Sequence, residues 1–179
     1  QRLTATQQGW TASTGKVVVG LSISSSVETL LERMENVVKR QARHASWQMT
    51  PFPEQQTEKL KERIELASNG EVAAPWDPDD EDYQWEPASQ YSRLLWSQGE
   101  IIGWLITHFV SHDCLRYAKF WVDPGWERSG APLAMLASVM RSAHFSTDTK
   151  AIKKGCFISH PTNNQLHHWI KKQFKPVSD

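Results

Sequence analysis

Cysteine is nearly missing from this chain: Cys114 and Cys156 are the only two in 179 residues, and they stand far apart. Two isolated thiols exclude a disulfide scaffold and a cysteine-rich zinc site. The plain expectation is two reduced core residues of a cytoplasmic protein. Charge of one sign is missing too, since 20 basic residues balance 20 acidic ones. No global field therefore pulls the chain toward nucleic acid or anionic lipid. Long apolar runs are absent: the stretch over residues 101–106 falls far short of the roughly 20 residues that a membrane-spanning helix needs. There is no repeat, low-complexity tract or signal-peptide pattern, and the chain opens on Gln1 rather than Met. We expect a cytoplasmic piece of a longer polypeptide with neighbouring domains, and no nucleic-acid or membrane partner.

Tryptophan, by contrast, is abundant. Nine indoles are expected to line the core or a groove, because each combines a large apolar area with one donor to satisfy. Residues 3–14 and 16–24 read as two strands around Thr14-Gly15, with Val17, Val18, Val19, Leu21 and Ile23 as β-formers. Ser25 and Glu28 have capping-box spacing. Val27, Leu30, Leu31, Met34, Val37 and Val38 then recur at helical spacing, which predicts a first helix to about Arg40. Pro51-Phe52-Pro53 breaks the chain. A second helix is predicted over 54–67, with Leu60, Ile64 and Ala67 on one face and Asn69-Gly70 as its stop. Residues 71–89 read as a loop carrying Asp77, Asp79, Asp80, Glu81 and Asp82, either a solvated excursion or an attractant for a cationic acceptor.

The second half alternates strand and helix. Residues 91–97, 100–111 and 115–122 are predicted to form an antiparallel meander, turned at Gln98-Gly99 and at His112-Asp113. Asp123-Pro124-Gly125 ends the third strand. A helix follows over 131–143, with Leu133, Leu136, Ala137 and Met140 in register. A short strand over 155–160 should return parallel to 115–122, because strand–helix–strand connections favour that geometry. Thr162 or Asn163 can cap a last helix carrying Leu166, Trp169, Ile170 and Phe174. His108 and His112 share a strand face but have no third ligand nearby, so no metal site is expected.

Phe120-Trp121-Val122-Asp123-Pro124-Gly125-Trp126-Glu127-Arg128-Ser129-Gly130-Ala131-Pro132-Leu133-Ala134-Met135-Leu136 resembles the acyl-coenzyme-A motif of the general-control-related N-acetyltransferase (GNAT) superfamily. In that family a strand ending Val-x-Pro leads through a glycine-rich loop into a helix rich in Leu and Ala. The likeness extends in element order over roughly residues 25–175. It implies an α/β (α+β) fold: a GNAT-like mixed, mostly antiparallel central sheet flanked by about four helices. The expected division is an N-terminal hairpin over 1–24 and a GNAT-like domain over 25–179. The hairpin would be the tail of a preceding domain or an edge of the sheet.

The resemblance also implies a site. A loop running from a strand end into a helix start aims several N–H groups and the positive helix end at one point, which suits an anion. In the family this point holds the coenzyme pyrophosphate, and the preceding strand pairs with the pantetheine amides. Carried over residue by residue, Phe120, Trp121 and Val122 would meet the pantetheine. Arg128, Ser129, Gly130, Ala131 and Leu133 would surround the phosphates, and Asn163 and Asn164 would open the last helix. Two departures stand out. Glu127 places a carboxylate where the family prefers Arg or Gln, and Pro132 removes one N–H. The family's Tyr acid on the last helix is also missing, with Trp169 and Ile170 in its place. The acid–base role then falls to histidine: His160 at the strand end, and His167 or His168 on the helix. Tyr117 is a further catalytic candidate, since Tyr117 and Lys119 alternate along the strand facing the acyl cleft. The function implied is transfer of an acyl group from acetyl-CoA or another acyl-CoA to a small-molecule amine or a carrier-protein thiol, with no metal. The alternative is a catalytically inactive GNAT-like binding or scaffold module.

Overall fold

The computed structural model describes residues 3–5, 10–13, 16–22, 25–41, 46–68, 86–145 and 152–159. Among them nine strands form one sheet and three α-helices pack on it. The strands are β1 (Leu3–Ala5), β2 (Trp10–Ser13), β3 (Lys16–Ser22), β4 (Gln48–Pro51), β5 (Glu86–Pro87), β6 (Arg93–Ser97), β7 (Glu100–Ser111), β8 (Cys114–Val122) and β9 (Lys154–Ser159). The helices are α1 (Ser25–Gln41), α2 (Glu58–Ser68) and α3 (Ala131–His144). Along the sheet the order is β1-β2-β3-β9-β8-β7-β6-β4, and β5 pairs with the far end of β7. Every pairing is antiparallel except β8 with β9, the two strands that α3 connects. The α+β class and the meander over β6, β7 and β8 are thus as expected, and so is the parallel return of β9.

The centre of the sheet explains its sequence. Residues 101–108 of β7 are all buried, so that strand reads as a continuous apolar run rather than an alternating one. Its side chains still part to two faces, with one break in the alternation where the register against β6 shifts between Leu95 and Trp96. Ile102 and Leu105 join Leu31 and Met34 of α1 and Met135, Leu136, Val139 and Met140 of α3. Ile101, Trp104 and Ile106 join Leu60 and Ile64 of α2 on the other face. Gln98 and Gly99 both take positive φ, 50° and 81°, the geometry of the tight turn that suits two twisted strands.

Several local expectations are corrected. The second helix begins at Glu58, four residues later than predicted, because Thr57 supplies the cap: its Oγ1 accepts from the Leu60 N–H at 3.3 Å. Pro51 does more than break the chain. It closes β4, an edge strand on β6 where a missing N–H is tolerated. Residues 86 and 87, read as loop, pair with Phe109 and His108. The single strand predicted over 3–14 is two antiparallel strands, β1 and β2. β3 runs antiparallel to β9 and carries this N-terminal hairpin at the edge of the sheet. The expected last helix lies outside the described residues. No helix among the described residues is long and apolar enough to cross a membrane.

Candidate functional site

β8 and β9 part company partway along. They are paired only from Cys114↔Lys154 to Tyr117↔Phe157. Beyond that point β8 continues to Val122 on β7, and β9 continues to Ser159 on β3. Residues 118–122 therefore hold hydrogen bonds to β7 on one side and none to β9 on the other. A wedge opens between two parallel strands at their C-terminal ends. The cause lies in β8. Its register against β7 shifts between Ile106 and Thr107, so that Lys119 and Tyr117 face adjacent residues of β7 and Ala118 is the extra one. Such a bulge bends its strand and steepens its twist.

The loop that follows β8 is held by its own chain. The Asp123 N–H donates to the Ile102 carbonyl at 2.8 Å. Asp123 Oδ1 accepts from the Gly125 N–H at 2.9 Å and caps the short turn Pro124–Trp126. Asp123 Oδ2 is bonded by the Arg63 guanidinium from α2. Arg63 Nε also donates to the Ile101 carbonyl at 2.8 Å, and its guanidinium lies 4.9 Å from the Trp121 ring centroid. Gly130 ends the loop at φ 83°, a left-handed conformation that disfavours other residues, and Pro132 sits in the first turn of α3 where its ring is tolerated.

The N–H groups expected to cradle an anion divide into two sets. The Ser129 N–H donates to the Trp126 carbonyl at 3.0 Å, and the Ala131 N–H to Ser129 Oγ at 3.2 Å. Ser129 Oγ in turn donates to the Trp126 carbonyl at 2.7 Å. Among the described residues the N–H groups of Arg128, Gly130 and Leu133 have no such acceptor. Ser129 and Ala131 thus shape the loop, whereas buried Gly130 and half-buried Leu133 keep N–H groups that no described residue accepts. The side chains of Glu127 and Arg128 are both exposed.

The other sequence candidates scatter. Phe120 and Val122 belong to the core under α1 and α3, and Trp121 lies on the α2 face with its ring 4.3 Å from Trp104. Tyr117 and Lys119 do not share a face, because the bulge between them shifts the alternation. Tyr117 is 4% exposed, stacks on Phe157 at 4.5 Å, and donates its hydroxyl to His144 Nε2 at 2.7 Å. That direction follows from the other ring nitrogen: Nδ1–H of His144 must donate to the Ile152 carbonyl, 2.8 Å away. Burial pushes the Tyr117 phenol well above its usual range. It packs beneath α3 and offers no proton to the wedge. Lys119 is buried on the opposite face, beside Arg116 and His108. His160, His167, Asn163 and Asn164 lie outside the described residues.

Sequence reasoning missed two features. Arg63 carries no signal, because nothing along the chain links α2 to a residue 60 positions later. Cys114 and Cys156, remote in sequence, become diagonal neighbours when β8 and β9 pair. Burial raises both thiols, Cys156 to about 12, so they stay protonated. No group of three potential metal-ligating side chains gathers among the described residues. Comparison of the chain with protein-family models and with curated proteins finds no match.

Proposed function

We propose that this chain is an acyltransferase domain that binds acetyl-CoA or another acyl-CoA and passes the acyl group to an amine or a carrier-protein thiol. The observation that carries the reading is the coincidence of two openings on β8. The ladder between β8 and β9 ends at Tyr117↔Phe157, so residues 118–122 run on beside β7 after β9 has turned away to β3, and the same strand runs directly into a loop where, among the described residues, the Gly130 and Leu133 N–H groups meet no acceptor. An extended ligand with amides along its length and phosphates at one end fits that pairing of features. The amides would bond the edge of β8, as an added strand does. The phosphates would meet the Gly130 and Leu133 N–H groups and the positive end of α3, with the exposed Arg128 in reach of the same region. The coenzyme supplies a thioester, an acyl group activated toward attack by an amine or thiol. The protein's own part is to hold acceptor and thioester in line. His160, which follows β9 directly in sequence, is the proposed proton carrier, since imidazole titrates near neutrality. His160→Ala is expected to lower turnover by about 10²- to 10⁴-fold and leave coenzyme affinity within a few fold.

A second reading, a binding module without catalysis, is favoured by the internal use of the Ser129 and Ala131 N–H groups together with Glu127 and Pro132. Thermal unfolding with acetyl-CoA separates these readings. At a ligand concentration of 100 times Kd the shift corresponds to about 2.7 kcal/mol. A shift with acyl transfer to an amine or a carrier-protein thiol supports the enzyme, and a shift without it supports the module. No shift with any acyl-CoA rejects both.

A further inference from the structure

We infer that Arg63 is a positioning residue for the anion-binding loop, acting by neutralising and aiming Asp123; this rests on the acyl-CoA reading above. Asp123 stands at the entrance of the loop with its carboxylate split between two tasks. One oxygen shapes the loop by accepting the Gly125 N–H at 2.9 Å, and the other is held by Arg63. Left alone, that carboxylate would repel the phosphates that the loop is shaped to receive. Glu127, four residues on, already adds one negative charge. Arg63 removes the conflict. It extends from α2, bonds the carboxylate and anchors itself to the Ile101 carbonyl at 2.8 Å. It also lies over Trp121 at 4.9 Å. A planar fork with fixed donors suits this bridging, which a lysine's point charge does not reproduce. The Arg63 and Asp123 side chains are only 20% and 31% exposed, so solvent screens the pair less than a surface one.

The inference makes a nonadditive prediction. Arg63→Gln leaves an uncompensated carboxylate at the mouth of the loop, and acetyl-CoA affinity should fall about tenfold, the scale of one charge-assisted contact. Asp123→Asn keeps an acceptor for the Gly125 N–H and discards the charge, so affinity should stay within about threefold of wild type. Combining the two should restore most of what Arg63→Gln lost, again to within about threefold, because the repelling charge is gone. Affinities for acetyl-CoA would be measured by calorimetry on all four proteins, with thermal unfolding of each. A merely structural Arg63 would give a double variant as weak as Arg63→Gln or weaker, and that result overturns the inference. Equal binding by wild type and Arg63→Gln overturns it as well, leaving the acyl-CoA reading intact. A wild type that binds no acyl-CoA removes both. Should Arg63→Gln not fold, Arg63→Lys keeps the charge and gives up the fork. It should bind about threefold more weakly at unchanged Tm, and undiminished affinity there also overturns the inference.

Discussion

The two halves of β8 are built from similar residues and live in different surroundings. Residues 114–117 pair with β7 on one side and β9 on the other, whereas residues 118–122 continue along β7 after the pairing with β9 has ended. In the closed half the side chains are pinned: Tyr117 is stacked on Phe157 and bonded to His144, which is bonded to Ile152. In the open half β8 has left β9, and on the acyl-CoA proposal the ligand's amides would lie along it. The pinned side chains lie before the bulge at Ala118, and the acyl-CoA proposal puts the ligand after it. The two faces differ as well. Both faces are apolar and aromatic, but the α2 side also buries His108, Arg116 and Lys119.

The sharpest way to break this contrast is to cut into the closed half. Tyr117→Ala removes a buried ring and strands the His144 ring nitrogen that accepted its hydroxyl. It should cost about 3–5 kcal/mol in urea unfolding, as large aromatic truncations do. A loss below about 1 kcal/mol would show that the closed half is not the stabilising one. In the loop that follows the open half, Gly130→Val forces a β-branched residue to φ 83° at the start of α3. We expect acetyl-CoA affinity to fall at least about tenfold, with about 1–2 kcal/mol of strain in the fold. Unchanged affinity would move the ligand elsewhere.

The histidines buried on the two faces predict a pH effect. His108 is pushed from 6.5 down to about 4, first by burial and then by Arg116 and Lys119, and burial lowers His144 against the opposing bond to the Ile152 carbonyl. Both imidazoles bind protons more readily in the unfolded chain. Stability is therefore fully present above about pH 6.5 and falls as the pH drops toward about 4. His108→Gln should flatten that part of the profile, measured by chemical unfolding across the range. A slope left unchanged by the substitution would assign it to other groups.

The elements of this protein are written in its sequence. Helical spacing marks α1 and α3, and β-branched runs and turn residues mark β3, β7 and β8. Gly99 and Gly130 sit at positive φ, where local sterics alone favour glycine. The strand–loop–helix spacing around Gly130 was legible for the same reason, since each of its parts is local. Only the tertiary structure decided the register between strands. The bulge at Ala118 separated Tyr117 from Lys119 and opened β8 from β9; strand pairing joined Cys114 to Cys156; and the packing of α2 brought Arg63 to Asp123. Each depends on contacts between residues distant along the chain. Periodicity names the face of a strand only until an extra residue shifts it, and no local pattern records which remote side chain will meet a loop.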